Sequence, residues 1–380
     1  MNVKALLPSL ARRWASSLPL RPLDNGTIRS IVIVELTRLG DVISGIPAIV
    51  AFQKAFPEAR IEIVVRATFS KLLNQLLPSV RIRSVQDRLT IGTLVRAIAQ
   101  LRRRPFDLAV SLSPSAANGI TSLMSGSPMI AGYLECVGSI TPFLRHNLVE
   151  SFGISGTAPR VYHDSPLSTR SLEVCRLLNI ESPSSFPTLS IDGGLPDALT
   201  GLAGEQFVVI HPFAIAASRV WPEGTLHATI ERMKEEFPYS ICVLGRDEDF
   251  SQMERLSDRW NHEERVKFYR SADLVTTARI IASASLFIGT DSGPLHLAAA
   301  LGVPTIGLYG AADPAITNPA WWDAARSASI YHRLPCSPCA EGICIRPSVE
   351  CMEAIGPSEI IDAVHRLSLP GLRRGTVRHA

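Results

Sequence analysis

The chain has 380 residues, is 46% hydrophobic and 19% charged, and carries a formal net charge of +3. That length supports two hydrophobic cores rather than one, and so small a net charge leaves no whole-chain footprint for nucleic acid, which is therefore not an expected partner. No run of about 18 uninterrupted apolar residues reads as a transmembrane helix.

Residues 1–27 read as an extension ahead of the first domain. Leu6, Leu7, Leu10, Trp14 and Leu18 fall near one face of a helix, with Lys4, Arg12 and Arg13 beside it. The pattern suits an interfacial helix on an anionic membrane surface; the alternative is a helix packed on the protein body or a frayed terminus. Arg12 and Arg13 fall where a signal peptide would be apolar, so the expected location is cytoplasmic, with peripheral contact to the inner membrane.

Residues 28–190 predict a first α/β domain. IVIV at 31–34 is a fully buried strand, followed by the polar turn Thr37–Asp41 and a helix capped by Ser44 with Pro47 in its first turn. IEIVV at 61–65 and DLAVSL at 107–112 are further strands, with a helix over 90–104 between them. Strands separated by helical stretches imply a parallel sheet. Arg102, Arg103 and Arg104 read as a solvated helix end ahead of Pro105.

A Pro, Ser and Gly-rich stretch at 181–204 reads as an interdomain linker, and residues 191–380 predict a second domain of the same class. Its strands are FVVIHP (207–212), ICVLG (241–245), SLFIG (285–289) and PTIGLYG. Helices are expected from Pro222 to about Phe237 and over 293–301. Two doubly wound domains facing each other would form a ligand cleft at the carboxyl ends of both sheets.

Three segments carry the chemistry. GTDSGPLHLAAALG (289–302) reads strand, turn, helix. Ser292, Gly293 and the following amides sit at a helix start suited to phosphate. Asp291 suits sugar hydroxyls better than phosphate, and the alternative is a plain helix cap with His296 as a buried polar residue. In HPFAIAASRVWPE (211–223), Arg219 lies where its guanidinium could grip a diphosphate, or else form a surface salt bridge. In ELTRLGDVISGIP (35–47), Asp41 fits a general base for an acceptor hydroxyl, or equally a helix cap. Asp247, Glu248 and Asp249 read as a solvated first helical turn rather than a metal site. No G-x-G-x-x-G or G-x-S-x-G follows any strand, which leaves nicotinamide, flavin and hydrolase-elbow chemistry unsupported. Cys336, Cys339, Cys344 and Cys351 are expected to form a reduced, metal-free surface loop, the alternative being a tetrahedral structural metal.

Taken together, TRLGDVISGIPA, HPFAIAASRVWPE and GTDSGPLHLAAALGVPTIGLYG resemble the motifs of glycosyltransferase family nine, the ADP-heptose:lipopolysaccharide heptosyltransferases and relatives. The resemblance runs from about Ile31 to about Val364 and includes the CSPC tail. It implies a GT-B fold and inverting transfer of a sugar, best guessed as heptose from ADP-heptose, to a lipopolysaccharide core or related glycan or glycolipid, with no required metal. It assigns catalysis to Asp41, the donor diphosphate to Arg219, the sugar to Asp291, the phosphate to Ser292 and Gly293, the ribose to Asp249, and the phosphate side to Thr37 and Arg38, with His296 in the same donor motif. His211-Pro212-Phe213 and an arginine at 219 depart from the usual pattern. Acceptor recognition is expected from loops near 66–75 and 113–140. The rival readings are a nucleotide-sugar epimerase of similar fold and a non-catalytic sugar-binding protein.

Overall fold

The computed structural model describes residues 28–136, 139–144, 166–183, 186 and 188–367. The expected interfacial helix in 1–27 lies outside the described residues, and no helix among them is long and apolar enough to cross a membrane. The chain divides into two compact units between residues 187 and 188, where the sequence reading put 190 and 191.

The first unit runs β1 (Ser30–Glu35), α1 (Leu39–Ala55), β2 (Arg60–Arg66), α2 (Ala67–Leu76), β3 (Arg81–Val85), α3 (Ile91–Arg102), β4 (Leu108–Ser111), α4 (Ala116–Leu123), β5 (Met129–Cys136), β6 (Ser139–Leu144) and α5 (Leu167–Leu177). Its six strands lie in the order β3-β2-β1-β4-β5-β6. All neighbours are parallel except β5 and β6. Ile31, Val32, Ile33 and Val34 are fully buried, because a central parallel strand is covered by helices on both faces. Burying each such side chain contributes about 1.5–3 kcal/mol.

Helix α1 starts earlier than the sequence reading placed it. Its N-cap is Arg38, so Asp41 sits in the first turn and Pro47 in the interior. The Asp41 carboxylate accepts the Arg38 N–H at 3.3 Å and offsets the positive helix end. Ser44, expected as the cap, instead donates its hydroxyl to the Gly40 carbonyl one turn back at 2.7 Å. The segment 66–75, expected as an acceptor loop, is mostly helix α2, whose Phe69, Leu72, Leu73 and Leu76 are buried.

The second unit runs β7 (Phe207–His211), α6 (Glu223–Glu236), β8 (Ser240–Arg246), α7 (Phe250–Asp258), β9 (Val266–Ser271), α8 (Leu274–Ala282), β10 (Leu286–Thr290), α9 (Gly293–Ala300), β11 (Thr305–Tyr309), α10 (Pro314–Thr317), β12 (Ser327–Tyr331), α11 (Glu350–Glu353) and α12 (Pro357–Arg366). The strand order β12-β11-β10-β7-β8-β9 repeats that of the first unit, now parallel throughout. Much of the expected linker belongs to this unit: Leu189 N–H donates to the Ala300 carbonyl at 2.8 Å, and Arg279 Nε to the Asp192 carbonyl at 2.7 Å.

In both units the first strand lies mid-sheet and the chain leaves it in opposite directions. The carboxyl ends of β1 and β4, and of β7 and β10, therefore flank a topological switch point, where open α/β sheets bind ligands.

Gly132 on β5 has φ +140°, and a Cβ there would lie 2.2 Å from the Ser111 carbonyl oxygen of β4. Gly132→Ala must therefore strain the backbone and part the two strands. The expected cost is about 2–4 kcal/mol, seen as a clear drop in melting temperature; an unchanged melt would show that the sheet accommodates a side chain at this position.

Candidate functional site

In the second unit, the loop after β7 and the turn after β10 are stitched together. Thr290 Oγ1 donates to the Phe213 carbonyl at 3.1 Å, and Trp221 N–H donates to the Pro212 carbonyl at 2.9 Å. Gly289 permits this closeness, since a Cβ there would stand 2.9 Å from the His211 carbonyl oxygen.

This framework brings Arg219 to Asp291. Arg219 Nη1 lies 2.5 Å from Asp291 Oδ2, with the two side chains 20% and 5% exposed. The sequence reading gave these residues separate ligand contacts; their mutual pairing, across 72 positions, has no local sequence signal. The pair neutralises a buried carboxylate that would otherwise be costly. It leaves Arg219 Nε buried with no protein partner.

Ser292 is the N-cap of α9 but makes no capping bond, and its buried hydroxyl has no protein partner. An N-cap serine ordinarily spends its oxygen on the first turn. Pro294 follows Gly293 and carries no N–H, so the amides of Ser292 and Gly293 are the outermost donors at this positive helix end. An orphaned guanidinium nitrogen, an orphaned hydroxyl and two helix-start amides make an anion cradle. His296, 3% exposed, lies one turn further along α9.

Asp249 stands beyond β8 and is engaged differently. Its Oδ2 accepts from Arg246 N–H at 2.9 Å and Nε at 3.1 Å, and its Oδ1 from Nη2 at 3.0 Å. Asp247 and Glu248 are solvated as expected, whereas Asp249 is buried. His211, at the end of β7, is fully buried; burial holds its imidazole down at about 4, against the opposing pull of Asp249, so it is neutral near pH 7.

The cysteine segment buttresses this site. Ser218, next to Arg219, donates its N–H to the Gly342 carbonyl at 3.2 Å and its hydroxyl to the Glu341 carbonyl. Cys339 and Ala340 N–H groups bond the Ala311 carbonyl at 3.1 and 2.8 Å, anchoring the segment beyond β11. Burial raises the Cys351 thiol, with Cys339, Cys344 and Cys336 adding to it. Among the described residues, no group of three or more His, Cys, Asp or Glu converges as metal ligands.

In the first unit, Thr37, Arg38 and Asp41 follow the end of β1, and Thr37 and Asp41 act on Glu35, a residue not among the candidates read from the sequence. Glu35 is 1% exposed. It accepts from the Thr37 hydroxyl and from Asn118 Nδ2 at 3.2 Å, while its Oε2 has no partner. Asn118 on α4 also accepts Leu36 N–H at 2.7 Å and donates to the Ser113 carbonyl at 3.3 Å, tying the end of β1 to that of β4. Burial pushes the Glu35 carboxyl up to about 7, opposed by the Thr37 hydroxyl and reinforced by the Asp41 charge. A carboxylate closing a run such as IVIV was the available signal.

The model of glycosyltransferase family 9 (heptosyltransferase) matches residues 94–349, more than half of the chain. Those residues include Arg219, Asp249, Asp291, Ser292, Gly293 and His296; Thr37, Arg38 and Asp41 precede them. Lipooligosaccharide heptosyltransferase 2 of Campylobacter jejuni is 30% identical over 95 residues, which span 25% of this chain and 29% of that protein. Lipopolysaccharide heptosyltransferase 3 of Escherichia coli is 22% identical over 296 residues, 74% of this chain and 83% of that protein. The solved structure of E. coli ADP-heptose LPS heptosyltransferase II superposes with a TM-score of 0.67 at 19% identity, covering 89% of this chain and 98% of that one, a likeness of fold.

The raised Glu35 carboxyl carries a pH signature. The proton is held more tightly in the folded chain, so this contribution to stability is full below the ordinary carboxylate value of 4.5 and is lost as pH rises through about 7. Glu35→Gln removes it. The melting temperature of the natural protein should fall relative to Glu35→Gln between about pH 5 and about pH 8, by an amount equivalent to about 3 kcal/mol at most. Parallel pH profiles would refute the assignment.

Proposed function

The chain belongs to glycosyltransferase family 9 and is a glycosyltransferase, and on that premise we propose that it transfers heptose from ADP-heptose, with inversion, onto a lipopolysaccharide core or related glycan acceptor. The heptose and lipopolysaccharide parts of this reading are supported by the names of the relatives. The observation that carries the nucleotide-sugar part is the cradle at the β7 and β10 ends, where Arg219 Nε and Ser292 Oγ are both buried and unpartnered. Buried polar groups are ordinarily satisfied, and these two, beside a helix start, fit a diphosphate.

The reaction is a single displacement. Asp41 takes the proton of the acceptor hydroxyl as its oxygen bonds to the anomeric carbon. The bond from that carbon to the diphosphate oxygen breaks, and its electron pair leaves with the nucleotide diphosphate. Arg219, the Ser292 hydroxyl and the amides of Ser292 and Gly293 stabilise that charge. Asp291 orients Arg219 and offers its remaining oxygen lone pairs to sugar hydroxyls, Asp249 serves the ribose, and Thr37 and Arg38 serve the phosphate side. Fixed positive groups take the part a metal ion plays elsewhere, so no metal is required. Peripheral contact with an anionic membrane through residues 1–27, on the cytoplasmic side, completes the proposal and rests on the sequence pattern.

Arg219→Ala should weaken donor binding by about tenfold or more, since a charged hydrogen bond contributes about 1.5–3 kcal/mol. It should also lower the melting temperature, because Asp291 loses its counter-ion in a buried setting. Adding Asp291→Asn should recover stability without recovering donor affinity. Unchanged donor affinity by calorimetry would remove Arg219 from the site.

Asp41→Asn separates base from cap. Asparagine can still accept the Arg38 N–H, so the melting temperature should hold, while kcat falls by about 10²–10⁴-fold. Near-normal turnover would leave Asp41 a capping role only.

A further inference from the structure

At the amino edge of the first sheet, three separated chain segments line an open pocket of about 360 Å³, formed by Arg60, Glu62, Arg81, Arg83, Gln100, Arg103, Arg104 and Phe106. The arginine run that reads as a solvated helix end thus has two members facing a concave site shared with β2 and β3. Glu62 is 1% exposed and is held by Arg83 at 2.7 Å, with Arg60 and Arg81 each at 3.7 Å. One guanidinium suffices to neutralise it. Arg103 and Arg104 have no carboxylate partner among the described residues, and the lining carries four more positive charges than negative.

Like charges gathered in a hollow repel one another, and an anion held among them relieves that repulsion. Phe106 is buried, with the Arg60 guanidinium 5.0 Å over its ring, which fixes the direction of that fork. Every cation here is arginine, whose planar fork matches phosphate oxygens two at a time. We propose that this cavity is a second anion site, which takes a phosphate-bearing group of about diphosphate size. It is separate from the chemistry of this unit: Arg60 and Arg81 begin their strands, whereas Asp41 follows the end of β1, about 20 Å away along the sheet. The group can come from a soluble phosphorylated molecule or from the headgroup of an anionic lipid.

The test compares the full-length protein with Arg103→Glu/Arg104→Glu and with Arg103→Gln/Arg104→Gln, all confirmed folded by circular dichroism. These side chains are exposed, so the fold should tolerate both changes. Calorimetric titration with pyrophosphate should show a binding component weakened about tenfold or more by either double substitution, yet retained in Arg219→Ala, which alters only the donor cradle. Identical pyrophosphate binding in the natural protein and both double variants would overturn the proposal, as would a component lost in Arg219→Ala alone. Sedimentation with phosphatidylglycerol vesicles, set against phosphatidylcholine vesicles, identifies the source. A parallel loss of sedimentation in the double variants marks a lipid headgroup, and unchanged sedimentation with lost pyrophosphate binding marks a soluble ligand.

Discussion

The arrangement on which each unit depends is the parallel pairing of its first strand on both sides. β1 bonds β2 on one side and β4 on the other, and β7 likewise bonds β8 and β10. A strand so placed is buried on both faces, which is why its sequence is almost wholly apolar. The same pairing makes the connections leave the sheet in opposite directions at one edge. Polar groups at the ends of those strands then stand in a gap that the fold does not fill. Every reactive group assigned to the transfer chemistry lies at such an edge or in the first turn of the helix that follows it.

Electrostatics at the two edges is handled in different ways. In the second unit a buried carboxylate is matched by a guanidinium at hydrogen-bond distance. The arginine's fork is aimed by one partner and keeps a nitrogen for another. At the end of β1 in the first unit, the buried carboxylate of Glu35 meets no cation among the described residues. Glu35 is held by neutral donors from Thr37 and Asn118 and answers burial by keeping its proton to higher pH. Its charge state is felt by Asp41, so the environment of the assigned base is set partly by a group that does not itself meet the acceptor.

What could be read from the sequence follows the range of the interactions. Runs such as IVIV and SLFIG announce buried strands because the signal lies within four or five residues, and DSGPLH announces a helix start for the same reason. Pro47 in a first turn implies too late a start for α1, and the carboxylate three positions after Arg38 is the better cue. The pairing of Arg219 with Asp291, the Asn118 clamp and the gathering of arginines around Glu62 join residues far apart in the chain. No local periodicity encodes them, and only the sheet order brings them together. Glu35 is an intermediate case, since its position at the end of an apolar strand was visible but its isolation from cations was not.

The clasp between Ser218 and the Glu341–Gly342 carbonyls bears on how the enzyme comes into being. During synthesis the strands β7 to β12 emerge from the ribosome before residue 341 does. The sheet of the second unit can therefore begin to pair while the loop carrying Arg219 still lacks the backbone bond that fixes Ser218. That bond links positions more than 120 residues apart, so it closes only after every strand of the second sheet has been made. A nascent chain would thus carry paired strands with an unset arginine, and the setting of Arg219 would wait for the cysteine segment, which precedes only α12 among the described elements of this unit.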